Sequence, residues 1–497
     1  MDSWVYDVEV GGWAAYPIYY IVSFGWVIQQ ILFILHEKRS VISADTMDAT
    51  RLKVILTIII LLVGVMIPFM LTSSDDVEAD IATGMAIDFD DMDVSWVDMN
   101  LEQFDSGWMA LEYACQLKSY SLSMDSNGNV LEIKGVYSNS DKSWSYWGIK
   151  SGSTTWKLID SSSDPKDYTV TSWAYRSEGE VPTVAVDVLG NCIYGFPKAN
   201  SIVSLSASTT EILGSLNAAS VVVGVDMYSD YPDSIMDGRN NGSISIVGDY
   251  VGPSFELVME CEADLIIGDD SNSSQAGVCE RLLANGRSAI LLYDGENLNT
   301  VLKNIYIVGV VSGRQAAASA VLSDIKGVID TVLGAIDADP GASDKKTLIT
   351  LSPDKSPYAS GLGTYISDTL ADVRGLNVIT DAEGWMKINA ETIADSNPAK
   401  IIIIVSVYDG VVYDYNEMMA SLSPEWKSTD AYKSREIYLI QDGAANLLQR
   451  CSPRIAQLVE LLGVIIQPDT FGGSISKTIG DDYEDYLVYS KGMGYNL

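Results

Sequence analysis

Between Ile202 and Ile466 the chain alternates short, mainly apolar runs with longer segments of helical periodicity, and this alternation is what most narrows the folds open to it. Ile202–Leu205, Val221–Val225, Leu265–Ile267, the run opening Ala289–Asn299, Thr347–Pro353, Ala399–Val407 and Arg435–Gln441 are the strand candidates. Between them, Ser208 or Thr209 can cap a helix from near Thr210 with Glu211 in its first turn, and another helix starts at Ser254. Cys451–Ile466 closes the series as a helix capped by Ser452, with Pro453 in the first turn. Strands that alternate with helices argue for parallel sheets covered on both faces, so the fold class is α/β.

The 497 residues suffice for two or three domains with real cores. A net charge of −36, from 31 Lys and Arg against 67 Asp and Glu, argues against nucleic acid, which needs a dense basic face. The single histidine, His36, lies far in sequence from every strand candidate, which removes serine–histidine catalysis and histidine-ligated zinc or haem from the sheet-bearing part. Five scattered cysteines without a CxxC spacing suit buried small side chains better than a metal cluster. No GxGxxG sits between a strand and a helix, which argues against dinucleotide enzymes.

Residues 1–74 read as a membrane anchor with two apolar spans, about 13–35 and 54–72, each near the ~20 residues a span needs. Lys38, Arg39, Arg51 and Lys53 lie between the spans and acidic residues flank them, so the short loop is expected inside and both ends outside. A competing reading starts the chain at Met47 and makes the second run a signal peptide or an uncleaved anchor. Residues 75–106 read as an acidic linker, and 107–180 as a small α+β domain with a hairpin about Asp125–Asn129 and strands rich in Trp and Tyr.

Three segments then carry a family resemblance. SIVSLSASTTEIL (Ser201–Leu213), GVDMYSDYP (Gly224–Pro232) and PSFELVMECEADLII (Pro253–Ile267) resemble the first lobe of the class III, helical-backbone substrate-binding proteins of ABC importers for corrinoids, haem and iron-siderophores, with MYSDYP nearest the vitamin B12 branch. Residues 107–180 loosely resemble the C-terminal domain of transcobalamin-type proteins. The resemblance implies two Rossmann-like lobes, 183–296 and 341–497, joined by a long helical connector at 297–340, with no enzymatic activity and no cofactor beyond a transported corrinoid. It also implies ABC permease and ATPase subunits as partners, and a cell-membrane protein whose large C-terminal part is extracytoplasmic. Haem or a ferric siderophore is the alternative ligand. A surface protein that uses the fold for binding or structure without transport is the alternative of another class.

In open α/β sheets ligands sit beyond the carboxyl ends of the strands. Those ends place Tyr228, Tyr250, Asp269 and Ser271 in the first lobe and Tyr358, Trp385, Tyr408 and Asp442 in the second. Flat aromatic walls with a few hydrogen-bonding groups suit a wide macrocycle fringed with amides. The resemblance carries Tyr228, Tyr250 and Trp385 to the cleft walls, and the family's tryptophan ahead of Ser452-Pro453-Arg454 is either replaced by Leu447 here or displaced by a loop insertion. It also carries Glu256 and Glu391, in the first turns of matching helices, to permease docking. The competing reading for each aromatic is ordinary packing, and for each glutamate a plain carboxylate at a helix N-terminus.

Overall fold

Period-two alternation builds the first module. The computed structural model describes residues 83–493 apart from 91–92, 127, 151–154, 183–186, 192–197 and 406–412. Both N-terminal apolar runs lie outside the described residues, and among the described residues no helix is long and apolar enough to cross a membrane. The module comprises β1 (Gly84–Asp88), β2 (Val94–Asp98), α1 (Gly107–Lys118), β3 (Leu122–Met124), β4 (Val130–Ile133), β5 (Val136–Tyr137), β6 (Ser143–Ile149), β7 (Lys157–Leu158) and β8 (Val170–Arg176). Its main sheet runs β2-β1-β8-β6-β7, with β1 parallel to β8, and β3-β4-β5 form a separate hairpin sheet.

The expected acidic linker at 75–106 therefore needs correction, because it contributes β1 and β2, and β1 lies inside the sheet. Acidic residues disguised the strands. Asp88 is buried, but the Arg176 guanidinium donates to both of its carboxylate oxygens at 2.9 Å and also pairs with Asp90 at 2.7 Å. A buried carboxylate met in this way is tolerated where a bare one is not.

The first lobe follows as β9 (Ile202–Ser204), α2 (Ala207–Ser215), β10 (Val222–Val225), α3 (Asp233–Asn241), β11 (Ser245–Ile246), α4 (Phe255–Glu260), β12 (Leu265–Asp269), α5 (Ser273–Ala284) and β13 (Ala289–Leu292). All its strands are parallel, in the order β11-β10-β9-β12-β13. Helix α2 starts earlier than the expected cap at Ser208 or Thr209, because Ser206 Oγ accepts from Thr209 N–H.

The connector is two helices, α6 (Leu298–Val311) and α7 (Gln315–Ala338). They meet at a turn where Gly313 has φ +65°, a region that favours glycine. The second lobe comprises β14 (Lys345–Thr350), β15 (Tyr358–Ser360), α8 (Tyr365–Asp372), β16 (Gly375–Asn377), β17 (Trp385–Lys387), α9 (Ala390–Ser396), β18 (Lys400–Ile404), α10 (Tyr415–Ser421), α11 (Pro424–Ser428), α12 (Asp430–Lys433), β19 (Ile437–Ile440), α13 (Asp442–Gln449), α14 (Ile455–Ile466) and β20 (Thr478–Ile479). Its sheet runs β17-β15-β14-β18-β19-β20, with β16 also on β14 and with β15 and β17 antiparallel at one edge. The tyrosine-rich tail is strapped onto α14: buried Glu460 accepts from the backbone N–H groups of Val488, Tyr489 and Ser490 at 2.6–2.9 Å.

The small module sits on the connector. One face of its sheet, with Met85, Ile87, Tyr146 and Trp173, packs with α1 into a core of its own. The opposite face, with Ala86, Trp96, Trp147 and Val170, joins the main hydrophobic core that includes α7. Trp96 N–H donates to Ser319 Oγ of α7 at 2.9 Å, in a buried bond. Residues i and i+1 of a strand face opposite ways, so adjacent side chains such as Tyr146 and Trp147 serve two different cores.

Candidate functional site

The carboxyl ends of the first-lobe strands open on a cleft of about 600 Å³ between the lobes. Strand β10 runs out into Asp226 and Tyr228, β12 ends at Asp269 and leads to Ser271, and β13 is followed by Asp294. The loop after β11 adds Tyr250. Across the cleft stand Tyr365 at the start of α8, Trp385 at the start of β17, Asn446 and Gln449 on α13, and then Arg450 and Cys451.

The first-lobe wall is fixed by hydrogen bonds. Tyr250 Oη and Ser271 Oγ share a short bond, and Ser271 donates from Oγ (2.6 Å) and from its backbone N–H (2.9 Å) to Asp269 Oδ1. Gln275 clamps this loop from behind, donating to Tyr250 O at 3.0 Å and accepting from Asp269 N–H at 3.0 Å. Ser229 donates to Asp226 Oδ1, while Asp226 Oδ2 has no hydrogen-bond partner among the described residues although the residue is buried. Burial pushes the Asp226 and Asp269 carboxyls up to about 6. Burial also raises Asp294, with Glu296 and Asp270 adding repulsion.

Between the lobes, beside the cleft, lies an ion cluster. Glu211 of α2 is fully buried; Arg454 donates to it through Nε at 2.9 Å and Nη2 at 2.6 Å, and Arg450 through Nη1 at 2.7 Å. Burial opposes ionisation of Glu211, but Arg454 and Arg450 hold its carboxyl below the usual range. Arg450 also donates to Asp230 Oδ1 at 2.7 Å and to the Tyr228 carbonyl at 3.2 Å. The Ser452-Pro453-Arg454 motif thus places a second-lobe guanidinium on a first-lobe carboxylate. Nearby, Tyr365 N–H donates to Gly295 O at 2.8 Å. A Cβ at Gly295 would fall 2.1 Å from Cys451 Sγ, so the lobes could not approach this closely with a larger residue there.

Of the residues expected to form the site, Tyr228, Tyr250, Asp269, Ser271 and Trp385 come together on the cleft. Tyr358 does not: it is exposed on the antiparallel strand β15, away from the cleft lining. Asp442 is also absent from the lining; it stands at the head of α13 with φ +51° and its carboxylate beside Gly480. Tyr408 lies outside the described residues. Leu447 is buried in the main core, and its neighbours Asn446 and Gln449 face the cleft instead. The module's tryptophans and tyrosines do not appear in the lining. Sequence reading missed Asp226, Asp294 and Tyr365 as lining residues. The first two were findable as the acidic residues that follow β10 and β13. Glu256 and Glu391 are both exposed in the first turns of α4 and α9, capped by Ser254 and Asn389.

Residues 202–444 match the family model described as periplasmic binding protein. Over that stretch the two lobes are similar to periplasmic binding proteins. That family binds and delivers its substrate and is not one of enzymes, and its members work with a permease and an ATPase. An uncharacterized ABC transporter substrate-binding lipoprotein of Bacillus subtilis, YvrC, is 26% identical over 298 residues, covering 60% of this chain and 89% of its own. Among solved structures, a periplasmic heme-binding protein from Pseudomonas aeruginosa matches with 20% identity and a TM-score of 0.48, over 54% of this chain and 93% of that one. The periplasmic vitamin B12-binding protein BtuF of Vibrio cholerae matches with 18% identity and a TM-score of 0.45, over 54% and 97%.

Proposed function

We propose that this substrate-binding protein captures a corrinoid, such as cobalamin or a related cobamide, in the interlobe cleft and delivers it to an ABC permease. The observation that carries this reading is the cleft wall itself. Tyr228, Tyr250 and Trp385 offer flat apolar faces, while Ser271, Asn446 and Gln449 offer hydrogen bonds between them. An anionic siderophore or the propionates of haem would call for cations. Among the described lining residues the one cation is Arg450, and Glu211 and Asp230 already engage it.

In this reading the N-terminal apolar runs hold the protein at the cell membrane with the lobes outside. Glu256 and Glu391 present one carboxylate per lobe to basic pockets on the two permease subunits. Calorimetric titration of the full-length protein in detergent checks the ligand: saturable one-to-one heat with a corrinoid is expected. Saturable binding of haem or a ferric siderophore, with no heat from any corrinoid, would overturn it.

A further inference from the structure

Three strand ends of the first lobe each deliver an aspartate to the same cleft: Asp226, Asp269 and Asp294. Balanced against them on the described lining is Arg450 alone, whose guanidinium already meets two carboxylates outside that set. Arg239, behind the same loop, donates to the carbonyls of Met227 and Ser229. The wall is therefore negative in excess. Asp226 lines the cleft, and its Oδ2, itself buried, lacks any hydrogen-bond partner among the described residues, so the wall holds a carboxylate oxygen whose bonding is incomplete. Asp269 keeps Oδ1 occupied by Ser271, and Asp294 is open to solvent on the cleft side. With ordinary values raised only to about 6, Asp226 and Asp269 stay mostly ionised at pH 7 and act as acceptors.

We infer that the cleft selects its ligand by peripheral charge, accepting a chelate edged with neutral amide N–H donors or positive charge and rejecting one edged with carboxylates. The physical reason is unequal treatment of two nearly isosteric groups. An amide NH₂ placed against a carboxylate gains a charge-assisted hydrogen bond, whereas a carboxylate there meets like charge in a partly dry site. This rests on the corrinoid reading and sharpens it: a corrin with amidated side chains fits, and the same corrin bearing free acids does not. Trp385 and the tyrosines cannot make that distinction, because both forms share one flat apolar face.

The test is calorimetric titration of the full-length protein at pH 7 and low salt with dicyanocobinamide, dicyanocobyrinic acid, haemin, cationic ferrioxamine B and anionic ferric enterobactin. Dicyanocobinamide should bind on the order of 100-fold tighter than the acid, and Asp294→Asn should cut that ratio by roughly tenfold. Because Asp294 is exposed, this variant keeps its fold. Asp269→Asn, checked by its thermal transition, should act in the same direction. Equal affinity for the two corrinoids, or a ratio unmoved in both variants, overturns the charge selection and leaves the corrinoid reading standing. Ferrioxamine B binding without any corrinoid sinks the corrinoid reading and keeps the charge selection. Tightest binding of haemin or ferric enterobactin, or no binding of any probe, overturns both.

Discussion

The two walls of the cleft are built by different means. The first lobe presents side chains from the ends of parallel strands, locked by the Tyr250–Ser271–Asp269 chain and by Gln275 behind it. The second presents Trp385 from an antiparallel edge strand, and Asn446, Gln449 and Arg450 from a helix end. Their carboxylates also contrast. Those of the first-lobe wall are buried beyond what their partners compensate and sit high. In the second lobe, burial opposes ionisation of Glu436, but hydrogen bonds from Lys400, Tyr438 and Lys477 bring it down to about 2. One wall carries uncompensated charge that a ligand can use; the other lobe spends its charge on holding itself together.

The contrast breaks most severely at the ion cluster that joins the lobes. Glu211→Ala leaves Arg454 and Arg450 facing each other without their shared carboxylate, and removing one partner of such a buried group costs about 3–5 kcal/mol. Urea denaturation should show that loss, and a variant within ~0.5 kcal/mol of the parent would mean that the lobes are held by apolar contacts alone. Next in size is the second-lobe aromatic. Trp385→Ala should weaken corrinoid binding by roughly ten- to a hundredfold, since one aromatic face is worth on the order of 1–3 kcal/mol. Tyr250→Phe keeps the ring and loses only the hydroxyl, so calorimetry should register a smaller change, within about tenfold.

The pH dependence sharpens the same difference. Asp226 and Asp269 bind protons more tightly in the folded protein than their ordinary value of 3.8, so their contribution falls as pH rises from about 4 through about 6. Glu436 is held near 2 against an ordinary 4.5, so its stabilising contribution is present above 4.5 and is lost as pH falls toward 2. Together they place greatest stability near pH 4, readable as the urea midpoint against pH; a midpoint that rises steadily from pH 4 to pH 7 would contradict the high values in the first lobe. The smallest effect on ligand is expected at the rim. Glu256→Ala with Glu391→Ala should leave corrinoid affinity unchanged while uptake in a reconstituted transporter is abolished, and uptake at the parental rate would reduce both residues to helix-end carboxylates.

What was legible in the sequence follows from range. Short apolar runs such as Ala399–Val407 declare themselves locally, and so the two parallel sheets and the aromatics Tyr228, Tyr250 and Trp385 could be read in order. Glu211 looked like a helix-end carboxylate, because its partners lie 239 and 243 residues away in the other lobe. Strand β1 was hidden for the same reason, since Asp88 makes sense inside a sheet only with Arg176, 88 residues on. Tyr358 and Asp442 show a different limit. Both stand next to strands, but β15 runs antiparallel and the backbone of Asp442 turns left-handed, so proximity in sequence to a strand end did not put them on the cleft.

The sheet resting on α7 bears on how this protein can be handled. Trimming the chain to the two lobes would strip Trp96, Trp147 and Val170 from the main core and bare the apolar surface of α7 around Ser319 together with the hydroxyl of Ser319. A newly wetted apolar strip of this kind promotes self-association. A shortened protein that precipitates would then report a missing cover, and not a failure of the lobes to fold.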